Sequence, residues 1–300
     1  KKKKKQAGKF FTTGVQNTII GGLAGDTLTI GDSNVAIGYA AMGAADGSES
    51  RNVAIGYAAL ATMNSNASNY NTALGYAAGF NITTGVQNTI IGGLAGDALT
   101  TGAENIAIGH NALGTEDTGG KSIAIGRKAL FSQNFDGDAF NVAIGNIAGQ
   151  AVTTGIYNVI VGGQAGMALT TGTRNIAIGL NALKNEDTGS HNVAIGHEAL
   201  KTADAGSDAY NVAIGSQAGK LVTTGIRNII IGGLAGDALT TGEDNVIIGH
   251  NAMSTDDAGS RNVVLGVNAL FSQNGGTLHV YNTGIGYNAG ASITNATQNT

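Results

Sequence analysis

The chain contains no cysteine, no proline and no tryptophan, and only 12% of its 300 residues are charged. Zero cysteine excludes disulfides and thiolate metal sites, and it fits an extracellular or a cytosolic setting. The net charge of −4 gives no reason to expect nucleic acid as a partner. No apolar run suits a signal-peptide core or a membrane span, so this segment is not expected to insert into a membrane. G-x-S-x-G, H-E-x-x-H and P-loop spacings are missing as well. Of the five histidines, His110 and His250 take equivalent places in the pattern described below, yet Tyr39 and Leu180 fill that place elsewhere. Such substitutable histidines read as surface residues rather than general bases. These absences lead to an expectation of no enzyme, no cofactor and no metal.

What is present is a short motif, Asn34-Val35-Ala36-Ile37-Gly38 with Ala41 three residues further on. It recurs as Asn105-Ile106-Ala107-Ile108-Gly109 with Ala112, and as Asn192-Val193-Ala194-Ile195-Gly196 with Ala199. Aligned on its glycine it occurs sixteen times, mostly at intervals of 17 residues. A fixed short period over a whole chain means a repeat architecture. This period is too short for a helix pair or a propeller blade, and its β-branched content favours strands. The reading is therefore all-β, a parallel β-roll or β-solenoid of about 16 coils of ~17 residues, with successive strands ~4.8 Å apart and a rod of roughly 75–80 Å.

Within each copy the second and fourth positions are apolar or β-branched, as in Val35 and Ile37 or Ile123 and Ile125. A spacing of two puts both on one face, read here as the core face. The third position, Ala in most copies, then faces outward. A solvated strand would carry polar residues there, so Ala suggests that the outer face is covered too, by another chain or another layer. The glycine suits a tight bend. The opening Asn, absent only where Ser122 stands in, has both donor and acceptor and can link coil to coil.

The copies cycle in fours. Asn88-Thr89-Ile90-Ile91-Gly92-Gly93 returns at Asn158 and Asn228 after intervals of 70 residues, and its precursor starts at Asn17. In that coil Ile replaces the usual Ala and a second glycine (Gly22, Gly93, Gly163, Gly233) follows the bend, which looks like volume compensation. Residues 1–11 read as a basic tail or artefact, with Lys1 to Lys5 solvated. Residues 12–300 form a single repeat domain with cycles at 12–82, 83–152, 153–222 and 223–293. The final Gln298-Asn299-Thr300 resembles the opening of another copy, as in a fragment of a longer protein.

Three turn types separate the strands. Thr-Thr-Gly turns such as Thr100-Thr101-Gly102 read as structural. Acidic turns (Glu116-Asp117, Glu186-Asp187, Asp256-Asp257) read as solvated charge, since successive pairs sit ~19 Å apart and cannot share a calcium ion within one chain. Gly92-Gly93-Leu94-Ala95-Gly96-Asp97 is similar to a calcium-binding nonapeptide, but its glycine is displaced by one position and Met167 replaces the Asp in one copy. The third type is longer and variable, and it ends in an aromatic: Tyr70, Phe140, Tyr210 or Tyr281. With Phe131, Phe135 and Phe271 these aromatics are the candidate contacts for a glycan or protein receptor, because loops on a rigid scaffold carry recognition. The alternative is that each terminal aromatic packs as a lid on its own coil.

The motif N-[VIT]-A-I-G-x-x-A, as in Asn192-Val193-Ala194-Ile195-Gly196-His197-Glu198-Ala199, resembles the head repeat of YadA-type trimeric autotransporter adhesins. It is also similar to repeats of some phage tail fibres. The resemblance covers residues 12–300 and implies a left-handed β-roll in which three chains pack their Ala-bearing faces around an axis. The coils here are longer than those of YadA-type heads, which leans towards the fibre-like relatives. The implied function is a non-enzymatic, extracellular, homotrimeric fibre segment, at a cell surface or on a virion. It would present loops for multivalent receptor binding or serve purely as a structural spacer.

Overall fold

A computed structural model describes residues 7–9, 12–45, 47–276, 279–295 and 297–299, so the lysine run lies outside the described residues. The chain divides between Ile147 and Ala148 into two compact units. The first holds β1 (Thr18–Ile20), β2 (Val35–Ile37), β3 (Val53–Ile55), β4 (Thr72–Leu74), β5 (Thr89–Ile91), β6 (Ile106–Ile108), β7 (Ile123–Ile125) and β8 (Val142–Ile144). The second holds β9 (Val159–Val161), β10 (Ile176–Ile178), β11 (Val193–Ile195), β12 (Val212–Ile214), β13 (Ile229–Ile231), β14 (Val246–Ile248), β15 (Val263–Leu265) and β16 (Thr283–Ile285). Within each unit consecutive strands pair in parallel, motif position on motif position, as in Ile106↔Ile123 and Ile176↔Val193. The protein is an all-β parallel β-solenoid with one short strand per coil. Stacking begins upstream of residue 12, since the Gly8 N–H donates to Ala24 O at 2.9 Å.

The two faces of the strand are the reverse of the sequence expectation. Ala36, Ala107 and Ala194 are fully buried, whereas Val35, Ile37, Ile106 and Ile108 are half-exposed. Alternation by two holds, but hydrophobicity alone predicts the opposite phase, and size decides it here. A three-residue strand turns back at once, and the narrow interior is already filled by Leu99, Leu113 and Leu130 from the turns, all fully buried. A methyl group fits beside them where a branched side chain would overpack.

In the Ile90-type coils the large inward side chain lies against a different glycine from the one that follows the bend. A Cβ on Gly96 would lie 3.3 Å from Ile90 Cδ1, and one on Gly166 would lie 3.3 Å from Ile160 Cδ1. A Cβ on Gly93 would instead meet His110 on the surface. So the coil with the large inward residue (Ile90) has glycine four residues after its bend. The coil with the small one (Ala107) has Leu113 there.

The bend glycine is required for two reasons. Gly109 has φ +132°, and a Cβ there would stand 2.5 Å from the carbonyl oxygen of Gly126 in the next coil. Stacking at strand distance leaves no room for a side chain between two bends.

An Asn ladder runs within each unit. Asn105 N–H donates to Asn88 Oδ1 at 2.9 Å, and Asn192 N–H to Asn175 Oδ1 at 2.9 Å. The amide group reaches the other way, Asn105 Nδ2 donating to Gly119 O at 2.9 Å. Asn105 thus satisfies a buried backbone donor, the Ser122 N–H, and a buried carbonyl together, which Asp lacks the donor to do. Thr100 Oγ1 donates to Asp117 O at 2.9 Å and Thr170 Oγ1 to Asp187 O at 2.8 Å, so the Thr turns stitch coils in the same way.

Candidate functional site

Three surface features stand out: the outer strand face, the long loops and the acidic turns. Each follows from the coil geometry. The structural-motif residues Asn34, Ile37, Gly38, Ala41, Asn105, Ile108, Gly109, Ala112, Asn192, Ile195, Gly196 and Ala199 all lie in the stacked strand and bend. Of these, the Asn and Ala residues are buried, while Ile37, Ile108 and Ile195 look outward and stay half-exposed.

With branched side chains pointing out, each unit presents adjacent columns of Val, Ile, Leu and Thr. Leu74, Ile144, Ile178 and Ile214 are exposed on it. Beside this face in the first unit, Tyr39, Tyr57 and Tyr76 stack in a ladder with ring centroids 5.4 and 5.3 Å apart. Their register follows from the motif, since each directly succeeds a bend glycine.

The loop aromatics Tyr70, Phe140, Tyr210 and Tyr281 are exposed rather than closed over their own coils as lids. Each rests against a basic or imidazole side chain of the preceding coil. The Arg51 guanidinium lies 5.5 Å from the Tyr70 ring, Lys121 Nζ 5.4 Å from Phe140, and Arg261 5.7 Å from Tyr281. His191 stacks on Tyr210 at 4.8 Å. Arg261 also donates to Tyr281 Oη at 2.8 Å. Sequence reading found the aromatics and missed these partners. The signal was available, because residues 51, 121, 191 and 261 recur at the same 70-residue interval. Phe131 lies under Lys128 Nζ at 5.2 Å. Phe135 is partly exposed and Phe271 exposed, and the Phe271 carbonyl is held by Thr255 Oγ1 at 2.8 Å.

The acidic turns are not simply solvated. Glu116, Glu186 and Asp256 are fully buried and cap their own turns, accepting the N–H of Gly119, Gly189 and Gly259 at 2.7 Å in each case. A short turn folded over a buried edge leaves backbone donors that water cannot reach, and the carboxylate supplies the acceptor. Burial pushes the Glu186 carboxyl above its usual range, against the pull of the Gly189 and Ala205 backbone N–H groups. Repulsion from Asp187 raises Asp204. At another site, hydrogen bonds from Lys201 at 2.7 Å and Lys220 at 2.9 Å hold Glu198 down at about 2.

The larger surface recess, lined by Asn251, Asn268, Phe271, Asn288 and Ser292 among others, has no titratable group in its lining. No helix among the described residues is long and apolar enough to cross a membrane. No protein-family model, curated protein or solved structure matches the chain.

Proposed function

We propose that the chain is a non-enzymatic segment of an extracellular fibre, assembled as a homotrimer and belonging to a cell surface or a virion. The observation that carries this reading is the outward apolar face. A continuous strip of Val, Ile and Leu along parallel strands is unusual on a monomer and marks a surface made for contact. The resemblance of the repeat to trimeric adhesin heads and tail fibres supplies the number three and the left-handed roll. The strands, rather than the buried Ala residues, provide the packing surface in this reading.

On such a fibre the long loops recur at ~19 Å, the rise of four coils. Weak contacts of Tyr70, Phe140, Tyr210 and Tyr281 with a glycan or protein receptor would add up through avidity. The spacer reading has an observation of its own in its favour: each of these rings already has a partner within the chain. Deleting residues 153–222 separates the two, since a spacer keeps whatever binding its fibre shows and a loop-presenting head loses avidity.

Light scattering tests the assembly. The expected mass is three times that of the 29.9 kDa chain, and Ile178→Glu combined with Ile214→Glu should release monomers. A wild-type monomer would remove the trimeric fibre from consideration.

A further inference from the structure

The internal repeats provide their own controls for one acidic turn. In the second and fourth cycles the free oxygen of the buried acid accepts from a glutamine of the next coil. Gln133 Nε2 donates to Glu116 Oε2 at 3.0 Å, and Gln273 Nε2 to Asp256 Oδ2 at 2.6 Å. In the third cycle that place belongs to Ala203. The backbone is unchanged, since Gln133, Ala203 and Gln273 each donate N–H at 3.2 Å to Leu130, Leu200 and Leu270 respectively. The side-chain amide is lost, and Glu186 Oε2 is left buried with no donor at hydrogen-bond geometry, the Ala205 N–H acting on this carboxylate beside that of Gly189.

The next residue changes in the same electrostatic direction. Asn134 and Asn274 follow the glutamines, whereas Asp204 follows Ala203. A neutral donor is lost and a third carboxylate is gained in the same place. Glu186, Asp187 and Asp204 each offer an oxygen within 4.8 Å of the other two. Like charges at this spacing repel, and a turn holding one of them buried is stable only with compensation.

We propose that Glu186, Asp187 and Asp204 form a site for a divalent cation, best matched by calcium, which among the described residues is present in the third cycle alone. Glu186 Oε2 is the buried ligand, and the carboxylates of Asp187 and Asp204 close the site from the solvent side. Calcium binds hard oxygens at about 2.4 Å, so ligands across one ion lie up to ~4.8 Å apart, and water completes its six to eight positions. Magnesium needs oxygens at ~2.1 Å in strict octahedral order and gives up its water reluctantly, which three carboxylates on two turns do not impose. The competing arrangement is a single water between Glu186 Oε2 and Asn192 Nδ2, which also lacks a partner. That water would satisfy both atoms but leave Asp187 and Asp204 in repulsion.

The test is calorimetric titration of CaCl2 into the chelator-treated full chain, with melting followed in parallel. The expected result is one calcium per chain and a raised melting temperature. The double substitution Ala203→Gln with Asp204→Asn copies the second and fourth cycles, so it keeps a local sequence that this fold already accommodates. It should weaken binding by more than ~10-fold and remove the calcium-dependent shift in melting. No binding by the wild type up to about 10 mM calcium, the outcome for a water-filled site, overturns the proposal. Equal binding by the double variant overturns it too, by sending the ion elsewhere. Magnesium binding as tight as calcium overturns the choice of ion.

Discussion

Gln133 Nε2 donates to Glu116 Oε2 across one coil step at 3.0 Å, and both side chains are fully buried. The same glutamine donates to Ser122 Oγ and accepts from Asn141 Nδ2, each at 2.9 Å. It thereby bridges the one break in the Asn column. Gln133→Ala should leave buried polar groups unsatisfied at a cost of about 1–3 kcal/mol. Hydrogen exchange at the amides of residues 116–142 reads this directly, and unchanged protection would refute the network's role.

A second expectation concerns the pairing of large and small side chains. Ile90→Ala should open a cavity and cost about 2–5 kcal/mol. Adding Gly96→Leu rebuilds the Ala107 and Leu113 arrangement of the next coil. Leu113 adopts φ +52° there, close to the +50° of Gly96, so the backbone accepts leucine. The double variant should recover part of the loss in denaturant titrations. Simple additivity of the two single effects would show that the sites do not compensate.

Substitution of the bend glycine should be far less forgiving. Gly109→Ala puts a methyl 2.5 Å from the Gly126 carbonyl oxygen at φ +132°, and a loss of at least ~3 kcal/mol is expected. Gly206→Ala is the control: φ is +64° and nothing lies within 4 Å of its Cβ, so a loss of about 1 kcal/mol is expected. Comparable melting temperatures for the two variants would contradict the stacking argument.

Acid titration probes Glu198. Its folded value of about 2 lies below the ordinary 4.5, so its stabilisation is complete above pH 4.5 and is lost as pH falls through 2. The bridges are near the surface, and a contribution of about 1 kcal/mol or less is expected after solvent screening. Glu198→Gln should therefore be less stable than wild type at pH 6 and converge with it towards pH 2. A stability gap that does not change over this range would rule out the linkage.

Asn34, Gly38 and Ala41, with their equivalents along the chain, determined by themselves that this protein is a stack of short parallel coils. Strand period, bend chemistry and amide bridging are local requirements that recur along the chain, so spacing alone carries them. The 70-residue recurrence likewise made the Ile90-type coils and the loop aromatics visible. Only tertiary structure decided which face of the strand turns inward, because Ala107 and Ile108 differ by volume as well as hydrophobicity. The room left by Leu99 and Leu113 is a property of packed neighbours. Tertiary structure also decided that Glu186 is buried and faces Ala203 from the adjoining coil. Burial and partnership across coils depend on which side chains the stacking brings together, and residues 17 apart in sequence show that only once the register is known.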